Sequence, residues 1–168
     1  MGLDITWASN AKLSDFSATD DAGDEHGLER VYANPDFADR ANDLPEGWYE
    51  VGETGRFRAG SYGGYNHWRE KLAEFSGWPL SQYDQFGRAY PSYAKSAWDA
   101  SEGPFWELIN FSDCEGCIGP AVSAKLLADF DAHREAMLAK GDEHFMCIYD
   151  EFRNAFAKAM QGGFVKFH

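Results

Sequence analysis

The sequence contains no long hydrophobic run and no leader segment that would direct a protein into or across a membrane. No stretch of its 168 residues comes near the roughly 20 consecutive apolar residues that a spanning helix needs. Residues 1–10, MGLDITWASN, lack the basic and apolar regions of a signal peptide. Cysteine is scarce as well, and three cysteines without an export signal indicate reduced thiols. The sequence therefore predicts a cytoplasmic protein with no membrane partner.

Positive charge is also scarce. The chain has 15 Lys and Arg residues against 28 Asp and Glu residues, a net charge of −13. Proteins that bind DNA or RNA through phosphates need clustered cations, so we expect no nucleic acid polymer as a partner. The acidity is concentrated in residues 1–55, which hold 13 acidic and three basic residues. Residues 56–168 are nearly balanced, with 15 acidic and 12 basic residues, so this part can form a locally positive cleft.

Three motifs that would indicate catalysis or nucleotide binding are missing. The sequence has no GK[ST] of a P-loop, no GxGxxG of a dinucleotide fold and no GxSxG of a hydrolase. Its five histidines could pair with Ser or Cys side chains in space, but nothing in the sequence selects a pair. We therefore predict no catalytic residue and favour a protein that is not an enzyme.

Aromatic residues are abundant, and their spacing predicts the fold. With 44% hydrophobic and 16% aromatic residues, residues 1–168 can bury the core of a single domain. The alternation in GLDITWAS and the apolar FVKFH predict strands at the two ends. Helical spacing predicts helices within residues 61–77, 120–141 and 142–160. These elements predict an α+β fold with an antiparallel or mixed sheet and three or more helices packed mainly on one face.

Three segments are less regular. Residues 14–27, SDFSATDDAGDEHG, are polar and acidic and predict a mobile loop. Residues 104–111, PFWELINF, form an apolar run that favours a buried central strand, with a helix left open. In residues 80–100 the aromatic residues are compatible with a helix that breaks at Pro91.

Residues 56–70, RFRAGSYGGYNHWRE, form the one locally basic, aromatic and glycine-rich segment of the sequence. Glycines allow a ligand to approach the backbone, and the start of a helix attracts anions. The alternative interpretation is that the aromatic residues belong to the core and the arginines pair with surface acids. The candidate ligand-binding residues, which include two carboxylates from a second loop, are Arg56, Arg58, Ser61, Tyr62, Tyr65, Asn66, Arg69, Asp113 and Glu115.

That second loop, residues 110–120, reads NFSDCEGCIGP. Cys114 and Cys117 have the spacing of a zinc knuckle, and His144 and Cys147 could complete a tetrahedral zinc site. The two carboxylates of the loop could instead hold Mg²⁺ or accept hydrogen bonds from a ligand. The third interpretation, which we favour, is that the cysteines simply pack and the loop is the entrance to a helix. No cofactor is therefore predicted, with zinc and magnesium as alternatives.

Three stretches of the sequence resemble a known but uncharacterised family. FRAGSYGGYNHWRE, ELINFSDCEGCIGPAVSAKLLADF and the terminal GGFVKFH are similar to proteins found in bacteria, prophages and phages, and the similarity runs over about residues 56–168. The resemblance implies a small accessory protein of a mobile element in the cytoplasm of a bacterial host, and it implies no activity. It also implies an aliphatic residue more often than cysteine at position 117, which argues against the zinc site.

This context leads to three hypotheses. The favoured one is a phage-type protein that binds a small anionic, nucleotide-like ligand without turnover and sequesters a host defence signal. The second is an acidic protein that blocks a host protein by direct binding or charge mimicry through residues 1–55. The third is a metal-dependent hydrolase that acts on a nucleotide, with Asp113, Glu115, His144 and Glu107 as ligands or base. The sequence leaves the oligomeric state open.

Overall fold

A computed structural model describes residues 2–16 and 26–168 of the chain. Most of the predicted mobile acidic loop, residues 14–27, lies outside the described residues. The elements in chain order are β1 (Leu3–Ala8), β2 (Lys12–Leu13), β3 (Glu29–Val31), a 3-10 helix (Pro35–Ala41), β4 (Gly47–Glu50), β5 (Thr54–Gly60), α1 (Tyr62–Phe75), β6 (Ser81–Gln85), β7 (Arg88–Ser92), α2 (Ala94–Trp98), α3 (Trp106–Ile109), β8 (Gly116–Ile118), α4 (Pro120–Lys140), α5 (Glu143–Ala159) and β9 (Phe164–Phe167).

A four-stranded antiparallel sheet with the strand order β5-β1-β9-β8 organises the fold. Because side chains alternate across a strand, one face of this sheet carries the apolar set. Ile5 of β1 lies opposite Phe57 of β5 and Phe167 of β9; Ile5 and Phe167 belong to the main core, and Phe57 packs against it. The antiparallel form of the predicted sheet is therefore the one that occurs.

Helices α1, α4 and α5 cover that apolar face, which confirms the predicted α+β fold with helices mainly on one side. Local signals fix where the helices begin. The Oγ atom of Ser61 accepts a hydrogen bond from the Gly64 amide at 3.0 Å, and Asp142 accepts one from Phe145 at 2.8 Å. Pro120 occupies the first turn of α4, where its lack of an amide hydrogen breaks no hydrogen bond of the helix.

No helix in the described ranges is long and apolar enough to cross a membrane.

The opposite face of the sheet is covered in part by a second layer that the sequence did not predict. A three-stranded sheet in the order β2-β4-β3 and the 3-10 helix pack there around a smaller core. The buried members of this smaller core are Ala8, Val31, Ala41, Leu44, Tyr49, Cys117 and Phe164.

The structure decides one segment that the sequence left open and corrects one prediction. Residues 81–92, where the sequence signals are mixed, form a β-hairpin, and the short α2 follows it. The favoured strand in residues 104–111 is the short helix α3, with Leu108 and Ile109 buried in the main core. A continuous apolar run fits a buried strand and a buried helix equally well, so periodicity alone could not decide between them.

Candidate functional site

A cleft lies between α1, the β6–β7 hairpin and α2, and its volume is about 490 Å³. That volume falls within the range of about 300–1,000 Å³ that is typical of small-molecule sites. One wall comes from α1 and the other from the hairpin and α2. The lining side chains include those of Asn66, His67, Arg69, Glu70, Tyr83, Gln85 and Trp98.

Glu70 of α1 holds the cleft wall that the hairpin and α2 form. Its carboxylate accepts hydrogen bonds from the Ser92 hydroxyl at 2.8 Å, from the Ala94 amide at 3.2 Å and from the Tyr93 amide. Helix α2 has no capping side chain at its own N-cap residue, so Glu70 satisfies donors that would otherwise lack a partner. These hydrogen bonds attach the hairpin and α2 to α1.

Arg69 carries the positive charge of the cleft. Its guanidinium lies 4.7 Å from the centre of the Tyr65 ring and donates to the carbonyls of Ile109, at 3.3 Å, and Phe111. It also donates to the side-chain oxygen of Asn66. All of these acceptors are neutral, and within the described ranges no carboxylate oxygen lies within 4.0 Å of the guanidinium. Its charge therefore lacks a direct ion pair within the described ranges, so it can pair with an anion. The Glu70 carboxylate lines the same cleft and is bonded to Ser92, Tyr93 and Ala94.

Asn66 connects the cleft to the second loop singled out in the sequence. Its side-chain amide donates to the Asp113 carboxylate at 2.8 Å. The structure thus brings Asp113 together with Asn66 and Arg69 from the predicted set, although Asn66 and Asp113 lie 47 residues apart in the chain.

Tyr65 does not line the cleft, because it is completely buried in the main core. Its ring stacks on Trp68 and contacts Phe152. Burial raises the pKa of its hydroxyl well above the usual value, and the hydroxyl has no hydrogen-bond partner among the described residues. Tyr62 is half-buried against the same core and Ser61 caps α1, so these three residues have structural roles.

Arg56 and Arg58 lie on the other side of the sheet from Arg69. They flank Phe57, which points into the helical core, so their own side chains point away from it. The Arg58 guanidinium lies 3.1 Å from both carboxylate oxygens of Asp4. Arg56 is exposed and lies 3.9 Å from Glu29. The sheet therefore separates two of the three predicted cations from the cleft.

Other ionisable groups share that outer face. Lys166 forms a 2.6 Å ion pair with Glu29, and the Nε2 atom of His168 lies 2.9 Å from the Thr6 hydroxyl. Burial, followed by the positive charges of Lys166 and Arg56, lowers the pKa of His168. Most of the cations here are bound to neighbouring carboxylates, so the face is a network of ion pairs rather than an open basic patch.

The two loop carboxylates do not converge. Asp113 is bonded to Asn66 of α1, whereas Glu115 is exposed and its carbonyl accepts a hydrogen bond from Asn34 on the second layer. Glu107, which we proposed as a hydrolase residue, forms an ion pair with Lys125. Within residues 2–16 and 26–168, no group of three or more His, Cys, Asp or Glu side chains is arranged to hold a metal ion.

The four residues of the alternative zinc site do not form a metal-binding group in the described ranges either. Cys117 is buried in the smaller core, while Cys147 is exposed on α5, which packs on the opposite face of the sheet. Cys114 is exposed in the loop, with its sulfur 3.5 Å from the Ser112 hydroxyl. His144 lies instead at a small cavity of about 120 Å³ beside Lys71 and Asp142.

Thiol reactivity should reflect this arrangement. We expect Cys114 and Cys147 to react with dithiobis(nitrobenzoic acid) at pH 8 in the native protein, and Cys117 to react only after unfolding, because burial raises its pKa to about 12. Absorbance at the thiolate product's maximum counts the reacted groups. A Cys117→Ala variant should give the same count before and after unfolding. A count that increases in native protein on addition of a chelator would contradict this arrangement and indicate a metal on the exposed thiols.

The cleft residues that were missing from the predicted set include His67 and Glu70 of α1, Tyr83 and Gln85 of the hairpin, and Trp98 of α2. The signal that could have found the two hairpin residues is a two-residue turn, Phe86-Gly87, between two short polar and aromatic segments, which is typical of a hairpin. The aromatic spacing in the same segment also suits a helix, and that pattern was misleading.

No protein-family model matches this chain, and no curated protein or solved structure matches it at a significant level. Function must therefore be inferred from the geometry of the cleft and of the surfaces around it.

Proposed function

We propose that the protein binds a small anionic, nucleotide-like ligand in the cleft between α1 and the β6–β7 hairpin, without converting it. The observation that supports the proposal is that the cleft has a positively charged side chain on one wall and aromatic side chains on the other. The α1 wall presents the guanidinium of Arg69, whose charge is bonded only to neutral acceptors. The opposite wall presents the aromatic side chains of Tyr83 and Trp98, whose rings lie 5.9 Å apart.

This arrangement suits a ligand with a planar ring and a negatively charged group. A base that stacks on an exposed aromatic side chain gains about 1–3 kcal/mol. Trp98 is 47% exposed and is therefore accessible to such a ring. The anionic group would lie toward Arg69, where the cation is already held in place by the Ile109 and Phe111 carbonyls and loses little side-chain entropy on binding.

Amide groups in the cleft can supply specificity. The side chains of Asn66 and Gln85 can each donate to and accept from the polar edge of a base or a ribose hydroxyl. The imidazole of His67, which is exposed on α1, can donate to a phosphate oxygen. The proposal gives these residues binding roles only and needs neither metal nor cofactor.

The biological role we propose is the sequestration of a host defence signal by a phage-type accessory protein. It combines the cleft with the family resemblance of residues 56–168. A protein that only sequesters a signal needs affinity and abundance rather than turnover, so a preformed cleft without an assembled catalytic group is sufficient for that role.

The test uses nucleoside monophosphates and cyclic nucleotides as probes with the purified, full-length protein. We expect at least one probe to raise the melting temperature, because a ligand that binds only the folded state stabilises it. For that probe, Trp98→Ala should weaken binding about tenfold or more in calorimetry, in line with the loss of one stacking contact. Native mass spectrometry of protein purified from bacterial cells should also show a bound small molecule.

A pair of histidine variants locates the site. His67 lines both the cleft and the small cavity near α5, whereas His144 lines only the small cavity. His67→Ala should weaken binding and His144→Ala should leave it unchanged. The proposal is wrong if no probe shifts the melting temperature and the protein from cells carries no small molecule. It is also wrong if His144→Ala weakens binding and Trp98→Ala does not.

A further inference from the structure

Phe86 occupies an unfavourable position at the tip of the β6–β7 hairpin. Its side chain is 97% exposed, and its backbone has a φ of +54° in a two-residue turn that continues with Gly87 at +76°. Positive φ at both central residues is typical of a type I′ turn, which favours Asn-Gly. A bulky residue in this conformation is strained, and an exposed aromatic ring gains nothing from burial. The side chain of Phe86 therefore adds no burial that would stabilise the fold.

Other exposed apolar side chains lie near Phe86 in the sequence. The described residues include seven exposed large hydrophobic side chains, and four of them lie between residues 80 and 98. These four are Leu80, Phe86, Tyr90 and Trp98. Tyr83 joins two of them, because its ring centre lies 5.7 Å from that of Tyr90 and 5.9 Å from that of Trp98. Aromatic side chains concentrated on one projecting element are typical of protein interfaces.

We propose that the hairpin docks onto a basic protein and inserts Phe86 into an apolar pocket of that partner. The hairpin itself contributes little charge, since Asp84 and Arg88 offset each other. Most of the net charge of −13 comes from residues 1–55, and the field of this acidic part attracts positively charged proteins and speeds their encounter. Phe86 then serves as the anchor, and Tyr90 and Leu80 extend the contact around it.

The same charge argues against two other occupants. A second copy of this chain would bring two charges of −13 together, and a membrane surface rich in anionic lipids would repel the protein. Strand β7 also contains Pro91, which has no amide hydrogen to donate, so edge-to-edge pairing of two hairpins through this strand is disfavoured. Leu80, Phe86 and Tyr90 lie outside the lining of the cleft, whereas Tyr83 and Trp98 line it, so the docking contact borders the proposed ligand site.

The test places a photo-crosslinking benzoylphenylalanine at position 86 of the full-length protein in bacterial cells, with Leu138 as the control position. Leu138 is an exposed apolar residue of α4, far along the chain from the hairpin. We expect crosslinking from position 86 to a different protein with a positive net charge, and none from position 138. The crosslinked protein is then purified, and its affinity for the unmodified chain is measured.

In that binding assay, Phe86→Asn should weaken the complex at least tenfold, and Leu138→Asn should leave it unchanged. Raising the salt concentration should weaken the complex because its encounter is electrostatic. Asn suits a positive φ, so Phe86→Asn should leave the melting temperature unchanged or raise it.

Several outcomes would overturn the proposal. In the crosslinking experiment, these are a signal from position 86 that is no stronger than the signal from position 138, or a crosslinked species that is a second copy, a lipid or an acidic protein. In the binding assay, the contradicting outcome is that Phe86→Asn binds as tightly as the unmodified chain. A fall of several degrees in the melting temperature of Phe86→Asn would also overturn it, because Phe86 would then serve the fold.

Discussion

Replacing Phe152 with alanine is expected to lower the free energy of unfolding by about 3–5 kcal/mol, the range measured for deleting a buried aromatic ring. Phe152 is completely buried and lies where α5, α1 and the sheet meet. Its ring centre is 5.0 Å from that of Phe57 and 5.1 Å from that of Trp68. It also contacts Phe156 and Phe167. Its removal leaves a cavity lined by rigid rings, which cannot collapse to fill it.

The matched control is the same substitution at the most exposed phenylalanine. Phe86→Ala removes the same atoms from a side chain that is 97% exposed, so its effect on stability should stay within about 0.5 kcal/mol. Urea denaturation followed by circular dichroism measures both variants, and the two midpoints should differ at an unchanged slope. If the two variants lose the same free energy of unfolding, Phe152 is not a central residue of the main core.

Gly163→Ala should be the most disruptive of the glycine substitutions, with an expected cost of about 3 kcal/mol or more. A Cβ atom at this position would lie 1.9 Å from the carbonyl oxygen of Ala8 and 2.6 Å from its carbonyl carbon. Both atoms belong to the backbone of β1, which is held between β5 and β9 in the sheet and cannot move aside. The clash therefore forces α5 and β9 away from the position where the chain turns into the sheet.

The neighbouring glycine separates this clash from a purely conformational effect. Gly162 has a φ of +72°, and a Cβ atom there would point into open space with no contact within 4 Å, so Gly162→Ala should cost only about 1–2 kcal/mol. Thermal unfolding of the two variants tests the difference. If Gly162→Ala proves the more damaging of the two, the close approach between residues 8 and 163 does not occur in solution.

The sequence by itself determined the elements whose signals are local. The alternation around Ile5 specifies β1, since only one face of a strand can be apolar at period two. Ser61 and Pro120 specify where α1 and α4 begin, because capping depends on backbone groups within one turn of the helix. The α+β class follows from these elements, and the structure confirms it.

The tertiary structure decided which side chains meet. Arg58 and Arg69 are close in sequence, yet the sheet lies between them, because Phe57 takes the core face and turns its neighbours outward. Asn66 and Asp113 are distant in sequence but form a hydrogen bond of 2.8 Å.

The cleft itself depends on a choice that local patterns leave open. The aromatic residues between positions 80 and 98 fit a helix or a hairpin, and the contacts of Glu70 with Ser92 and Ala94 hold the hairpin form against α1. A carboxylate that satisfies donors 22 and 24 residues away is a long-range interaction, so no window of the sequence contains it. Local propensity sets the elements, and the burial of side chains between elements sets the site.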